Sequence, residues 1–179
     1  MSLDRSRLRQ LVLAALFAAL MVLGARVQLP FIAGIPLTLQ TPMIQLAVLV
    51  LPFPYGLYSV GLYLLLGAAG FPAFSFGGGM GYFFEKTGGY LLGFLIASIP
   101  LQFWRSFFSR SFLHLVCALA LHTALIFLCG IWWHAHVDQI EFLTLAQDTM
   151  IPLYLVSLVK IFFTALLVKE LLKRLQKST

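Results

Sequence analysis

Charged residues are scarce in this chain of 179 residues, and their scarcity excludes a soluble fold. Lys and Arg number 12 and Asp and Glu number 6, together 10% of the sequence, where a soluble domain has about 25%. Arg26 and Glu85 bracket 58 residues without one charged side chain, so this stretch cannot supply a water-facing surface. The mean hydropathy is +0.97. The sequence therefore predicts an all-α integral membrane protein that crosses the cell membrane several times.

Motifs that carry catalysis are missing as well. The sequence has no G-x-x-x-x-G-K-[ST] segment to bind ATP, no H-E-x-x-H to bind zinc, and no paired carboxylates inside an apolar run. His114 and His122 lie in an apolar run without an acidic residue, and His134 and His136 point to different sides of a helix. These absences predict that the chain is not an enzyme and holds no metal or cofactor.

Cysteine provides no covalent framework either. Cys117 and Cys129 lie in one apolar run, and neither has a C-x-x-C partner. We expect both to be small buried hydrophobic residues rather than members of a disulfide or a zinc site.

Six apolar segments are candidates for membrane helices, and no linker divides residues 1–179, which therefore form a single transmembrane domain. The predicted helices cover residues 8–25, 43–51, 55–69, 87–104, 112–133 and 150–172. The first also resembles a secretory signal peptide, but the chain beyond residue 25 has the composition of a membrane protein and not of a soluble domain. The second is too short to cross the bilayer unless it extends into its flanks. Two long loops rich in proline or glycine are predicted at residues 27–42 and 70–89.

The basic residues collect at one end of the predicted helices. Nine of the twelve are Arg5, Arg7, Arg9, Arg105, Arg110, Lys169, Lys173, Arg174 and Lys177. The opposite end carries four acidic residues and only Arg26 and Lys86 as cations. By the positive-inside rule both termini are predicted to be cytoplasmic, and the two long loops and the 134–149 connection to face outward. Membrane topology thus explains the net charge of +6 without a nucleic-acid partner.

Lys160 is a charged residue in the middle of a predicted span. It lies about ten residues, roughly 15 Å, into helix six, where a charge costs about 2.5 kcal/mol or more unless it faces protein or water. Tyr154, Ser157, Lys160 and Thr164 fall on one face of that helix. We expect this stripe to bind a polar ligand. The alternative is a structural lysine satisfied by backbone carbonyl groups.

The two long loops are the second candidate surface. Thr38 and Gln40 lie in the first loop, and Phe74, Gly78 and Tyr82 lie in the second. Irregular backbone at membrane depth is tolerated where it lines a cavity. Aromatic rings can stack on a flat ligand, and glycine lets the backbone approach it closely. Ordinary turn formation is the alternative for each of these residues.

Small residues on helix one are the third candidate surface. Ala14/Ala18 and Ala15/Ala19 form two overlapping A-x-x-x-A pairs. Small residues at this spacing let two helices approach closely. The pattern alone fits internal packing and docking to another subunit equally well.

Four segments, taken in order along the chain, resemble the BioY family, the biotin-binding S components of energy-coupling factor (ECF) transporters. They are P-L-T-L-Q-T at 36–41, G-F-P at 70–72 with the glycines after it, T-G-G-Y-L-L-G-F at 87–94, and residues 152–160. The chain departs from the family pattern at Ser157, where an aspartate is usual. It departs again at Glu85-Lys86, where Gly-Pro usually precedes the T-G-G-Y segment.

The resemblance implies a six-helix S-component fold. In this fold a vitamin is held near the outer face, beneath the loop that follows helix one and the loop that follows helix three. It implies a receptor that binds biotin and delivers it for uptake, with ATP used only by partner ATPase subunits. The A-x-x-x-A pattern of helix one then contacts the transmembrane coupling subunit. An S component for another small vitamin and a self-sufficient channel or secondary carrier are the alternatives.

Biotin offers a flat ureido ring, a thioether ring and an anionic valerate tail, and we expect different residues to meet each part. The residues expected at its polar edges are Thr38, Gln40, Ser157 and Lys160; those expected at its rings are Phe74, Tyr82 and Tyr90. Arg26 or Lys86, the cations near the outer face, is expected to pair with the carboxylate.

Overall fold

Apolar helices and one short β-hairpin are the main elements of the part of the chain that the structure describes. The computed structural model describes residues 4–32, 35–107 and 111–177. The helices are α1 (Arg5–Arg26), α2 (Gln40–Val50), α3 (Tyr55–Ala68), α4 (Gly88–Phe107), α5 (Phe112–Asp138), α6 (Phe142–Leu145) and α7 (Ile151–Lys177). A 3₁₀ turn covers Met80–Phe83, and a π-helical turn, Ala146–Met150, joins α6 to α7. The hairpin pairs β1 (Gln28–Ile32) with β2 (Ile35–Thr38). The predicted all-α class is confirmed.

Helix α2 lies at the centre of the bundle. It packs against α1, α3, α4 and α7, and α5 closes the outer ring by packing on both α4 and α7. Almost every α2 side chain is buried, from Gln40 at its start to Leu49 near its end. The polar side chains buried with it include Gln40 and Gln45.

Three apolar helices are long enough to cross a membrane, and three others are shorter. The long ones are Arg5–Arg26, Phe112–Asp138 and the continuous stretch Phe142–Leu175; the shorter ones are Gln40–Val50, Tyr55–Ala68 and Gly88–Trp104. These six match the predicted helices in order. With 11 residues and a rise of 1.5 Å per residue, α2 covers about 16 Å, roughly half of the hydrocarbon layer.

The first predicted loop, residues 27–42, is wrong in two respects. Its first part is a β-hairpin in which Gln28 is paired with Thr38, and its last part is already the first turn of α2. The strands begin at residue 28 because β-branched and large apolar residues dominate this stretch, which suits paired strands. The hairpin leads directly into α2, because Thr38, its last residue, lies two positions before Gln40, the first residue of the helix.

The second predicted loop, residues 70–89, is irregular up to residue 87 except for the 3₁₀ turn, and Gly88 and Gly89 already belong to α4. The fold of the irregular part depends on glycine. Gly79 has φ of +106°, a conformation that residues with a Cβ rarely adopt. Its N–H donates to the carbonyl of Gly67 at 2.7 Å, which holds the segment on the end of α3. Gln28 Nε2 donates to the carbonyl of Ser75 at 2.7 Å, so the hairpin and this segment meet at one end of the bundle, called the loop end below.

The predicted 134–149 connection is mostly helical. Helix α5 continues to Asp138 and ends at Gln139, whose φ of 54° is left-handed, a common way to stop a helix. Residues 134–138 contain neither proline nor glycine, so nothing ends the helix earlier. The chain is helical again from Phe142.

The prediction for the cysteines is wrong for one of the two. Both are free thiols; Cys129 is half-buried, but Cys117 is exposed. Cys117 therefore lies on a face of α5 that no other described residue covers.

Candidate binding cavity

A cavity lies below the loop end, between the start of α2 and the helices α4, α5 and α7. It contains about 580 Å³ of atom-free space counted out to its open mouth. Its lining comes from the hairpin and α2 (Thr38, Gln40, Thr41), the 69–87 segment (Phe74, Ser75, Tyr82, Thr87), α4 (Tyr90, Leu91, Phe94), α5 (Ile126, Phe127) and α7 (Leu153, Lys160). Five separate parts of the chain therefore meet around one space.

A hydrogen-bonded cluster around Gln40 forms the polar side of the cavity. Gln40 Oε1 accepts from Thr38 Oγ1 at 3.0 Å and from Ser75 Oγ at 3.3 Å. Gln40 Nε2 donates to the hydroxyl of Tyr63, which is buried behind it. Because both ends of the carboxamide have partners, its orientation is fixed before any ligand arrives.

Lys160 brings a positive charge to the same side. Its Nζ donates to the backbone carbonyl of Thr38 at 3.3 Å, linking the middle of α7 to the end of the hairpin. An ammonium has three donors, and no other hydrogen bond or carboxylate partner for it occurs among the described residues. The lysine therefore faces the cavity with donors to spare.

The remaining residues of the Lys160 stripe pack inside the bundle. Tyr154 donates to the carbonyl of Ala120 at 3.1 Å, and Thr164 donates to the carbonyl of Lys160 at 2.7 Å. Ser157 is buried, and its Oγ has no partner among the described residues. The lining set contains neither Ser157 nor Tyr154.

Aromatic rings form the side of the cavity nearest the loop end. The Phe74 ring lies 5.0 Å from the Tyr82 ring and 5.6 Å from the Tyr63 ring, centroid to centroid. Phe74 is buried against Gly67, where any side chain would overlap the ring. Burial raises the pKa of the Tyr82 phenol, so Tyr82 stays neutral and can donate a hydrogen bond at any physiological pH.

Tyr90 extends the aromatic surface to α5. Its ring lies 6.2 Å from that of Phe127, edge to face, and rests on Gly130, where a Cβ would collide with it. The Tyr90 hydroxyl is buried and has no hydrogen-bond partner among the described residues. Leaving such a group unpaired costs about 1–3 kcal/mol, so a ligand that pairs with it recovers that free energy.

A sequence model of the BioY family matches residues 1–177. The chain belongs to the BioY family. Among curated relatives, the biotin transporter BioY of Thermotoga maritima is 42% identical over 92 residues, and the probable biotin transporter BioY of Pyrococcus horikoshii is 42% identical over 91 residues. These alignments cover 51% and 50% of this chain and 54% and 56% of the relatives. The chain thus spans about half the length of the curated relatives it matches.

Membership of the BioY family agrees with the fold. The crystal structure of the S component for biotin from an ECF-type ABC transporter superposes with a TM-score of 0.83 at 23% sequence identity, covering 97% of this chain and 95% of that one. This likeness confirms the predicted S-component fold. The chain is a multi-pass membrane protein of this fold.

Six of the residues predicted for the site line the cavity: Thr38, Gln40, Phe74, Tyr82, Tyr90 and Lys160. Gly78 is exposed and is not part of the lining, and its Cα packs so tightly on the carbonyl of Phe71 that no Cβ fits there. Arg26 and Lys86 are both exposed, and neither belongs to the lining. The Arg26 guanidinium donates instead to the carbonyl of Pro72, at the loop end.

The lining also contains residues that sequence reasoning did not select, notably Ser75, Ile126, Phe127 and Leu153. Apolar residues on long apolar helices carry no local signal that separates those facing a cavity from those facing lipid. Phe94 could have been found, because it ends the T-G-G-Y-L-L-G-F segment that carried the family resemblance.

The two alanine pairs of α1 have different surroundings. Ala14 and Ala18 are 3% and 0% exposed, so they pack inside the chain. Ala15 and Ala19 are exposed and form a smooth surface on the outside of the bundle.

Proposed function

We propose that this chain is the biotin-binding S component of an ECF-type transporter, a receptor that captures biotin from outside the cell for ATP-driven uptake. The observation that carries this proposal is the cavity below the loop end, which combines a fixed polar cluster with an aromatic surface in a member of the BioY family. The proposed role is binding and delivery, not catalysis.

The polar side of the cavity suits the ureido ring of biotin. That ring has one carbonyl acceptor and two N–H donors in one plane. The free donors of Lys160 and the unpaired hydroxyl of Tyr90 supply hydrogen bonds to the carbonyl oxygen. Thr38 Oγ1, which among the described residues accepts only from the Gln40 N–H, supplies an acceptor for one of the N–H groups. Groups already held in place lose little conformational entropy when a ligand binds, which favours high affinity.

The apolar side suits the rest of the bicyclic ring. Phe74, Tyr82 and Phe127 present ring faces and edges to the cavity, and aromatic surfaces contribute large contact areas at low entropic cost. The valerate tail then points toward Arg26, whose guanidinium donates to the carbonyl of Pro72 at the loop end. We assign the carboxylate to Arg26 in preference to Lys86.

Tight binding requires work for release. At an affinity of about 1 nM, bound biotin lies about 12 kcal/mol below free biotin at standard concentration. The sequence contains no nucleotide-binding loop and no intramembrane carboxylate pair, so the work comes from partner subunits: an ATPase pair and a transmembrane coupling subunit.

The coupling subunit is proposed to dock on Ala15 and Ala19. Both are exposed on α1, and small side chains let a partner helix approach closely. Ala14 and Ala18 are excluded as docking residues because they are buried within this chain.

Calorimetric titration of the purified chain with biotin tests the receptor function, with thiamine and riboflavin as controls. We expect nanomolar binding of biotin alone. Micromolar or weaker binding of biotin, or tighter binding of a control vitamin, would refute the assignment of the ligand.

Uptake into vesicles that contain the coupling and ATPase subunits tests the docking surface. Ala15→Trp should leave biotin binding intact and abolish uptake, because the bulky ring keeps the partner helix away. Val159→Trp, on the exposed face of α7, is the matched control and should transport normally. Full uptake by Ala15→Trp would overturn the docking assignment.

A further inference from the structure

A second polar cluster is buried one helical turn below the cavity, and the binding chemistry does not use it. Gln45 of α2 is 1% exposed, and its Nε2 lies 3.0 Å from Thr123 Oγ1 and 3.2 Å from His122 Nδ1, both on α5. His122 Nε2 lies 3.4 Å from Ser98 Oγ on α4. Ser98 in turn donates to the carbonyl of Phe94 at 2.6 Å. These four side chains, Gln45, Ser98, His122 and Thr123, are called the polar layer.

One arrangement of hydrogens is consistent with the hydrogen bonds between these side chains. A neutral His122 accepts from Gln45 at Nδ1 and donates to Ser98 at Nε2, while Thr123 accepts from Gln45 and donates to the carbonyl of Leu119 at 2.9 Å. Every bond then has a donor and an acceptor, so the layer holds together without a charge in the membrane interior. The hydrogen bonds connect α2 to α5 and α5 to α4.

The polar layer is aligned with the cavity on each of the three helices. Four residues separate Gln45 from Thr41, His122 from Ile126, and Ser98 from Phe94, and the second member of each pair lines the cavity. Residues four apart lie on the same face of a helix, about 6 Å apart along its axis. The layer therefore lies directly beneath the cavity, on the side away from the loop end.

We propose that the polar layer positions α2, α4 and α5 around the cavity and thereby sets how long the ligand is retained. Its members are positioning residues, since they hold the lining residues at fixed separations without touching the ligand themselves. This inference rests on the proposed function for the identity of the ligand, biotin.

Gln45→Leu tests the polar layer, and Gln102→Leu is its matched control. Gln102 is also 1% exposed and donates from Nε2 to the carbonyl of Leu51 at 3.1 Å, at the end of the bundle away from the cavity. Both variants remove a buried amide hydrogen bond. Gln45→Leu should lower the melting temperature, and Gln102→Leu should lower it less, because it also removes an Oε1 that has no partner among the described residues. Only Gln45→Leu should speed the dissociation of biotin, by about fivefold, the factor that corresponds to one lost hydrogen bond.

His122→Asn is the conservative variant, because the asparagine Oδ1 can still accept from Gln45. Biotin should dissociate more slowly from His122→Asn than from His122→Leu. An unchanged dissociation rate in Gln45→Leu, or the same acceleration in Gln102→Leu, would overturn the proposal. The second outcome would mean that general loosening of the bundle is responsible.

Hydrogen exchange of the protein without ligand separates this inference from the proposed function. Gln45→Leu should speed exchange of the amides near Phe94 and at the start of α2, and Gln102→Leu should leave them unchanged. If the wild-type chain fails to bind biotin while exchange differs in this way, the proposed ligand is wrong and the positioning role stands. If exchange does not differ, the positioning role is wrong whatever the ligand.

Discussion

Replacing Lys160 by methionine is the sharpest test of the cavity, because affinity and stability should change in opposite directions. The lysine places an ammonium inside the bundle with one hydrogen bond, to the carbonyl of Thr38 at 3.3 Å, and with no carboxylate partner among the described residues. Burying such a charge is costly, so Lys160→Met should keep or raise the melting temperature of the protein without ligand.

The same substitution should weaken biotin binding strongly. A buried hydrogen bond from a charged donor contributes about 2–3 kcal/mol, and its loss corresponds to roughly a 30- to 150-fold increase in Kd. Methionine is chosen because it fills a similar volume and leaves no large cavity.

Calorimetry for affinity and a thermal melt of the protein in detergent measure the two effects. Lys173→Met, an exposed position farther along the same helix, is the matched control and should change neither. Wild-type affinity in Lys160→Met would show that this lysine does not bind the ligand. A lower affinity with an equally large loss of stability would assign Lys160 a structural role instead.

Three further predictions concern other parts of the site. Tyr90→Phe removes the unpaired buried hydroxyl and should raise the melting temperature while weakening biotin about fivefold; equal affinity would remove Tyr90 from the ligand contacts. Arg26→Gln should weaken the binding of biotin by up to about fivefold, as for an exposed ion pair, and should leave the binding of biotin methyl ester unchanged. If Lys86→Gln shows this loss and Arg26→Gln does not, the carboxylate binds Lys86 instead. Gly78→Ala should lower both stability and affinity, because the added Cβ meets the carbonyl of Phe71. Gly81→Ala is the control, since Gly81 has open space around it. Thermal melts and biotin titrations compare the two variants, and equal behaviour would contradict the packing role of Gly78.

Local sequence features predicted the fold class and most of the helices. Long apolar runs with few charges are a property of each segment by itself, and in a membrane such a segment must satisfy its own backbone by forming a helix. For this reason α3 was predicted to within one residue at each end, over 55–69 against Tyr55–Ala68. The hairpin was missed although its strands are neighbours in the sequence, because β1 and β2 are too short to show a clear alternating pattern.

The candidate site was predicted where a local rule limits the possibilities. A charge in mid-membrane must face protein or water, which singled out Lys160, and the segment resemblance singled out Thr38, Gln40 and Tyr90. The same reasoning selected Ser157, which lies on the correct face of α7 but outside the lining.

The sequence by itself determined that this chain is a helical membrane protein of the BioY family, since composition and ordered motifs are both read along the chain. Only the tertiary structure decided which of the two alanine pairs on α1 is exposed: Ala14 and Ala18 are buried, and Ala15 and Ala19 are exposed. It also decided that Gln45 meets His122 across 77 positions of sequence. The reason is physical: helical periodicity fixes which residues share a face, but only the packing of other helices determines which face is covered and what it meets.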